Sequence, residues 1–86
     1  MISEIITIEN EVGLHARPAA QFVKIAERYK SNVRLCKEGI WVNGKSVLGI
    51  LTLAAEHGSE IILEVIGTDE QEAFNELKGV LEVENS

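Results

Sequence analysis

One stretch of the chain gathers side chains able to bind an anion and to attack it: Gly13-Leu14-His15-Ala16-Arg17-Pro18-Ala19-Ala20. An imidazole is a nucleophile when one ring nitrogen is unprotonated. A guanidinium offers paired donors that match the oxygens of a phosphate. Proline lacks a backbone N–H and is tolerated in the first turn of a helix. It also disfavours helical geometry at the residue before it, here Arg17. The helix is therefore expected to start between Ala16 and Pro18, with His15 and Arg17 at its N-terminus. Free backbone N–H groups and the helix dipole make that end a natural anion site. The same positive end disfavours imidazolium, so His15 is expected to be neutral near pH 7. A phosphoryl group carried on its ring would meet Arg17 and the helix amides. Ala16, Ala19 and Ala20 leave the backbone accessible, and Gly13 permits a sharp turn. A solitary histidine before a helix is commonly just an exposed polar residue, so the weight rests on the combination.

Other chemistries find less support. No Cys, Asp or Glu stands at ligand spacing around His15, and His57 is distant, so neither a metal nor a cofactor is expected. His57, just before Gly58, reads as a structural residue suited to a helix C-terminus. Asn43-Gly44-Lys45-Ser46 ends like a phosphate-binding loop but lacks the earlier glycine, which argues against an ATPase. No paired carboxylates or Ser-His-Asp set stands out. Cys36 is the only cysteine, so no internal disulfide can form. It lies in the alternating stretch Val33–Lys37 and reads as a small core residue.

The elements that must position these residues follow from periodicity. Ile5-Ile6-Thr7-Ile8 reads as a first strand. Ala19, Phe22, Val23 and Ala26 recur at helical spacing, predicting a helix that ends near Tyr29 or Lys30. Val33 to Lys37 is a second strand. Glu38-Gly39 is a turn, Ile40-Trp41-Val42 a third strand and Asn43-Gly44 a second turn. Ser46 is a natural N-cap for a short apolar helix running to about Glu56, with Gly58 as its C-terminal cap. Glu60 to Ile66 is a fourth strand. Thr68 or Asp69 caps a last helix, with Gln71 or Glu72 placed for a capping box and Ala73, Phe74, Leu77, Val80 and Leu81 as its apolar face. The tail, Glu82 to Ser86, reads as polar. The order β-α-β-β-α-β-α predicts an α+β fold, with a mainly antiparallel sheet covered on one face by helices.

The chain is 86 residues long with a net charge of −6. That length suits one domain, 1–86, with a thin core and chemistry near the surface, since such a chain buries only about 60–65% of its unfolded area. Five of the eight basic residues fall between Arg17 and Arg34, while the C-terminal third is acidic. An acidic chain is a poor binder of nucleic acid, and the basic segment suits an acidic protein partner. No apolar run approaches the roughly 20 residues of a membrane span. The start, Met1-Ile2-Ser3-Glu4, lacks the basic and apolar regions of a leader, so a cytoplasmic protein is the default expectation.

On Gly13–Ala20, continued by Phe22-Val23, and on Asn43-Gly44-Lys45-Ser46-Val47-Leu48-Gly49, the sequence resembles the histidine phosphocarrier (HPr) family of the bacterial phosphoenolpyruvate-dependent phosphotransferase system. Length and element order match as well, so the resemblance covers essentially the whole chain. It implies an open-faced β-sandwich: four antiparallel strands with three helices on one face. It implies that His15 accepts a phosphoryl group on Nδ1 from phosphorylated Enzyme I and passes it to a histidine of a IIA protein, with Arg17 steadying the group. A relay of this kind has a phosphohistidine intermediate and no stand-alone turnover. The resemblance also implies that Ser46 is a target of an HPr serine kinase/phosphorylase. Without it, the N-cap role alone accounts for Ser46. A dianion added at a helix start is favoured by the dipole and would act by blocking a docking surface. Leu48 and Leu51 stand where several relatives carry methionine, and Leu53–Gly58 differs from sugar-pathway members, leaving both the sugar and the nitrogen-type branch open.

The second helix is more apolar than one buried face requires. Val47, Leu48 and Leu51 form one arc; Ile50, Leu53 and Ala54 form another. The resemblance assigns the first arc to the exposed, partner-binding side. On the first helix Ala20 and Lys24 continue the side of Ala16, and Lys24 would steer an acidic partner. A monomer is expected. The leading reading is thus a phosphoryl carrier between proteins. The rivals are a regulatory docking module of the same fold with His15 idle, and an anion sensor without covalent chemistry.

Overall fold

The computed structural model describes residues 1–83. Residues 84–86, the end of the tail read as polar, lie outside them. Among the described residues the elements are β1 (Ile2–Thr7), α1 (Ala16–Ala26), β2 (Asn32–Lys37), β3 (Ile40–Asn43), α2 (Val47–Thr52), β4 (Glu60–Ile66) and α3 (Glu70–Leu81). The strands form one antiparallel sheet in the order β1-β4-β2-β3. The helices cover one face of it, as expected.

Strand alternation decides which side chains meet the helices. Ile6 of β1, Val33 and Leu35 of β2, and Ile61, Leu63 and Val65 of β4 point into the core. They pack against Ala19, Phe22 and Ala26 of α1, Ile50 of α2, and Ala73, Phe74, Leu77 and Leu81 of α3. The opposite face carries Ile5, Ile62, Cys36 and Trp41 in register across all four strands. Cys36 is buried, as read, but on this uncovered face, where its register neighbours Trp41 and Ile62 shield it.

Several boundaries moved, each for a physical reason. β1 begins at Ile2 and not at Ile5, because Ser3 and Glu4 pair with Glu64 and Leu63 despite their polarity. Ile8 lies past its end but keeps the pairing going, donating to Ser59 and accepting from Gly58. α1 closes at Ala26. Arg28 and Tyr29 then bond back three residues, to Ile25 and Ala26, a tightened last turn that retains helical periodicity.

The largest correction concerns α2, which ends at Thr52 and not near Glu56. Ala54 adopts a left-handed backbone, φ +50°, and turns the chain away. Lys37 at the end of β2 donates to the carbonyls of Leu53 and Ala54 (3.2 and 3.1 Å) and satisfies that helix end. Gly58 is therefore not its cap; it lies in the following turn and donates to Ile8. His57 likewise stands at no helix C-terminus; its Nδ1 lies 3.3 Å from the Asn10 carbonyl oxygen.

The capping box expected on α3 is also replaced. Asp69 is the N-cap, but its carboxylate accepts from the backbone of Lys30 and Ser31 and from the Ser31 hydroxyl, tying α3 to the α1–β2 loop. The returning carboxylate is that of Glu70, which accepts from Gly67 (3.1 Å) and pairs with the Met1 ammonium (2.8 Å).

Candidate functional site

His15 is the N-cap of α1, with extended backbone (φ −84°, ψ −171°). Ala16 is thus the first helical residue, and Arg17 is helical despite the proline that follows it. This start lies at the early end of the expected range, Ala16 to Pro18, and the bias of Pro18 against helical geometry at Arg17 is overcome, since within the first turn the ring meets no earlier helical carbonyl. Pro18 packs inward and is buried. The first intrahelical bond runs from the Ala19 N–H to the His15 carbonyl (3.1 Å). Proline removes one of the donors that a helix start leaves over, so the amides of Ala16 and Arg17 remain to face an anion.

The loop before His15 is held by backbone geometry. The Asn10 side chain accepts from the Val12 N–H (3.0 Å) and its carbonyl from the Gly13 N–H (3.0 Å). Gly13 has φ +83°, and a side chain there would collide with the Ala55 carbonyl and Glu56. Close approach lets the Leu14 N–H donate to Ala55 (2.8 Å) while its side chain enters the core. The His15 loop is thus clamped to the segment that leaves α2.

His15 is half-buried, and Ala16 and Arg17 are exposed. Among the described residues no ion pair engages Arg17. A guanidinium two residues from the imidazole at the same helix end can therefore turn to a group carried on the ring. Ala20 and Lys24 are exposed one and two turns further along the side of Ala16.

Ser46 is the N-cap of α2, and its Oγ accepts from the Gly49 N–H (3.0 Å). The two apolar arcs of α2 are less separate than the spacing suggested. Leu48 is 75% exposed, whereas Val47 and Leu51 are half-buried against the core and Ile50 is fully buried. Ala54, grouped with the inner arc, lies exposed beyond the helix. Val12, 71% exposed in the His15 loop, was not singled out from sequence. An apolar residue amid Asn10, Glu11 and Gly13 was the available signal. Lys37, which fixes the end of α2, carried no signal at all.

Among the described residues no group of His, Cys, Asp and Glu could hold a metal ion, and no helix is long and apolar enough to cross a membrane.

Comparison with known proteins places this geometry. A family model described as the PTS HPr component phosphorylation site matches residues 2–83. The phosphocarrier protein HPr of Neisseria meningitidis serogroup A is 42% identical over 81 residues, covering 94% of this chain and 91% of that protein. The HPr-like protein Crh of Bacillus subtilis is also 42% identical, over 98% of this chain and 99% of that one. A crystal structure of Crh from that organism, described as a dimer with a swapped domain, gives a TM-score of 0.76 at 42% identity, covering 96% of this chain and 98% of that one. The crystal structure of HPr from Bacillus anthracis superposes with a TM-score of 0.89 at 36% identity, over 93% of this chain and 95% of that chain. Site motif, sheet order and helix layer agree with these matches, and the chain belongs to the HPr family of phosphocarrier proteins.

Proposed function

We propose that His15 carries the phosphoryl group in a phosphoenolpyruvate-driven relay, receiving it from phosphorylated Enzyme I and giving it to a histidine of a IIA protein. The observation that carries this reading is the placement of His15 as the N-cap of α1, with exposed Arg17 in the same turn. In the loading step the lone pair of Nδ1 attacks phosphorus in line as the bond from phosphorus to the donor's histidine breaks. The phosphoryl oxygens gain Arg17 and the amides of Ala16 and Arg17. Unloading is the reverse step with the IIA histidine as nucleophile. A site this shallow suits exchange between proteins, and neither step uses a metal or a cofactor.

Docking is proposed on Ala16, Ala20 and Lys24 of α1 with Leu48 of α2, joined by the exposed parts of Val47 and Leu51. Ser46 is proposed as a regulatory phosphorylation site for an HPr serine kinase/phosphorylase. Its Oγ already stands at a helix start, and a phosphate there would put two charges beside Leu48. A cytoplasmic location fits this role.

The relay is tested by isolating the phosphorylated protein, adding a IIA protein and following the label. Phosphate should leave this chain and appear on the IIA histidine. Retention of phosphate with a competent acceptor would contradict the proposal. The regulatory docking module is the second reading, favoured by the 42% identity to Crh, an HPr-like protein. It predicts that the His15→Ala variant keeps every partner interaction.

A further inference from the structure

The His15 loop lies along the segment that leaves α2 and is tied to it at both ends and in the middle. At one end Ile8 exchanges backbone bonds with Gly58 and Ser59 (2.9 and 2.8 Å), and at the other the Leu14 N–H donates to Ala55 (2.8 Å). The tie in the middle uses a side chain: His57 Nδ1 lies 3.3 Å from the Asn10 carbonyl oxygen. Any sequence can supply the backbone ties, whereas this one depends on the residue at 57. A carbonyl oxygen has no proton to give, so Nδ1 carries the hydrogen and donates it.

Asn10 is where the geometry of the loop is set. It is 2% exposed. Its carbonyl also accepts from the Gly13 N–H (3.0 Å), closing a turn over 10–13, and its Oδ1 accepts from the Val12 N–H (3.0 Å). The Gly13 carbonyl in turn accepts from the His15 N–H (3.0 Å). A run of hydrogen bonds thus leads from the His57 ring, through Asn10 and Gly13, to the backbone that carries the His15 imidazole. The Asn10 Nδ2 is buried and finds no acceptor among the described residues. Such an amide costs stability, and costs of this kind gather where local geometry serves function.

We propose that His57 is a positioning residue for phosphoryl transfer, departing from the structural role read from its place before Gly58. The proposal rests on His15 being the phosphoryl carrier. By donating to Asn10, His57 fixes the tilt of the turn over 10–13, and with it the direction in which His15 Nδ1 meets phosphorus. In-line attack tolerates little error, since a misplacement of about 1 Å costs about 100-fold in rate. The charge of the His57 ring is not what acts: the neutral Nδ1–H tautomer and the imidazolium both donate to Asn10. An asparagine at 57 would carry its Nδ2 where the imidazole carries Nδ1, two bonds beyond Cβ. It keeps the donor without the ring or a charge. His57 is exposed, so either replacement opens no cavity.

Single-turnover transfer from phosphorylated Enzyme I is measured for the native chain, His57→Ala and His57→Asn over a range of Enzyme I concentrations. His57→Ala should lower the saturated rate about 10-fold and leave the half-saturating concentration unchanged, because alignment is lost and docking is not. His57→Asn should return the rate to within about 2-fold of native. An unchanged saturated rate in His57→Ala would overturn the proposal, whether or not the half-saturating concentration rises, since a rise alone marks a docking contact. So would a His57→Asn variant as slow as His57→Ala. The ring itself gives a second readout. In His15→Ala, His57 is the only histidine, and its ring ¹⁵N spectrum is read without overlap. At about pH 9, above the ordinary range of histidine, the proton should sit on Nδ1. A proton on Nε2 would overturn the proposal as well. A native chain that takes up no phosphate sinks the carrier reading and this proposal with it, whereas failure in the variants or the spectrum alone leaves the carrier reading standing.

Discussion

In the proposed relay the imidazole of His15 serves as nucleophile and then as leaving group, so its surroundings have to favour both states about equally. Arg17 and two helix amides are the groups proposed to do this without enclosing the ring. Arg17→Ala should slow phosphoryl transfer about 100-fold while leaving the fold intact, because one preorganised charged donor is lost; rapid-quench kinetics with Enzyme I would read it. Gly13 is the residue that brings the loop close to Ala55. Gly13→Ala should cost about 1–3 kcal/mol from left-handed strain, more if the clash with the Ala55 carbonyl is not relieved, and urea unfolding would show it. The placement of His15 and Arg17 at a helix start was legible in sequence because Pro18 and the apolar spacing after it mark that start. The exposure of Val12 and the capping by Lys37 were not, since both depend on what long-range folding brings near.

At the scale of elements, α2 places two opposite environments within six residues. Leu48 faces solvent while Ile50, two residues on, is fully buried. Ile50→Ala should therefore cost about 2–5 kcal/mol in urea unfolding, whereas Leu48→Ala should leave stability within about 0.5 kcal/mol. Leu48→Ala should weaken transfer between proteins through the concentration of partner needed. The length of this helix was misread because Leu53, Ala54 and Ala55 are good helix formers, and local preference lost to tertiary bonding at Ala54 and Lys37. β4 was read correctly to the residue, since Ile-Ile-Leu-Glu-Val-Ile flanked by polar and glycine residues has no competing interpretation. The α3 capping box failed for a different reason. Asp69 is the right residue type at the right place, but the α1–β2 loop offers it three donors.

The whole molecule is held together by a few such ties between distant segments. Asp69 links α3 to Lys30 and Ser31, and the Ser31 hydroxyl and the backbone amides hold its carboxyl below the usual carboxylate range. A carboxyl depressed in the folded state stabilises the fold above its unfolded pKa, about 3.9. That contribution is lost as pH falls through the folded value. The melting temperatures of the native protein and Asp69→Asn should therefore differ most above about pH 4 and converge on acidification, in paired thermal melts. The sheet-and-helix architecture followed from element order. The strand order β1-β4-β2-β3 and the apolar row on the open face did not, because register between strands far apart in sequence is set only on folding.

The central claim is that His15 is the phosphoryl carrier. Its most direct test is the intact mass of the chain after incubation with Enzyme I and phosphoenolpyruvate. The account predicts a gain of one phosphate that is stable to alkali, lost in acid and absent from His15→Ala. An unchanged mass with a competent Enzyme I, or a phosphate that persists in His15→Ala, would contradict it.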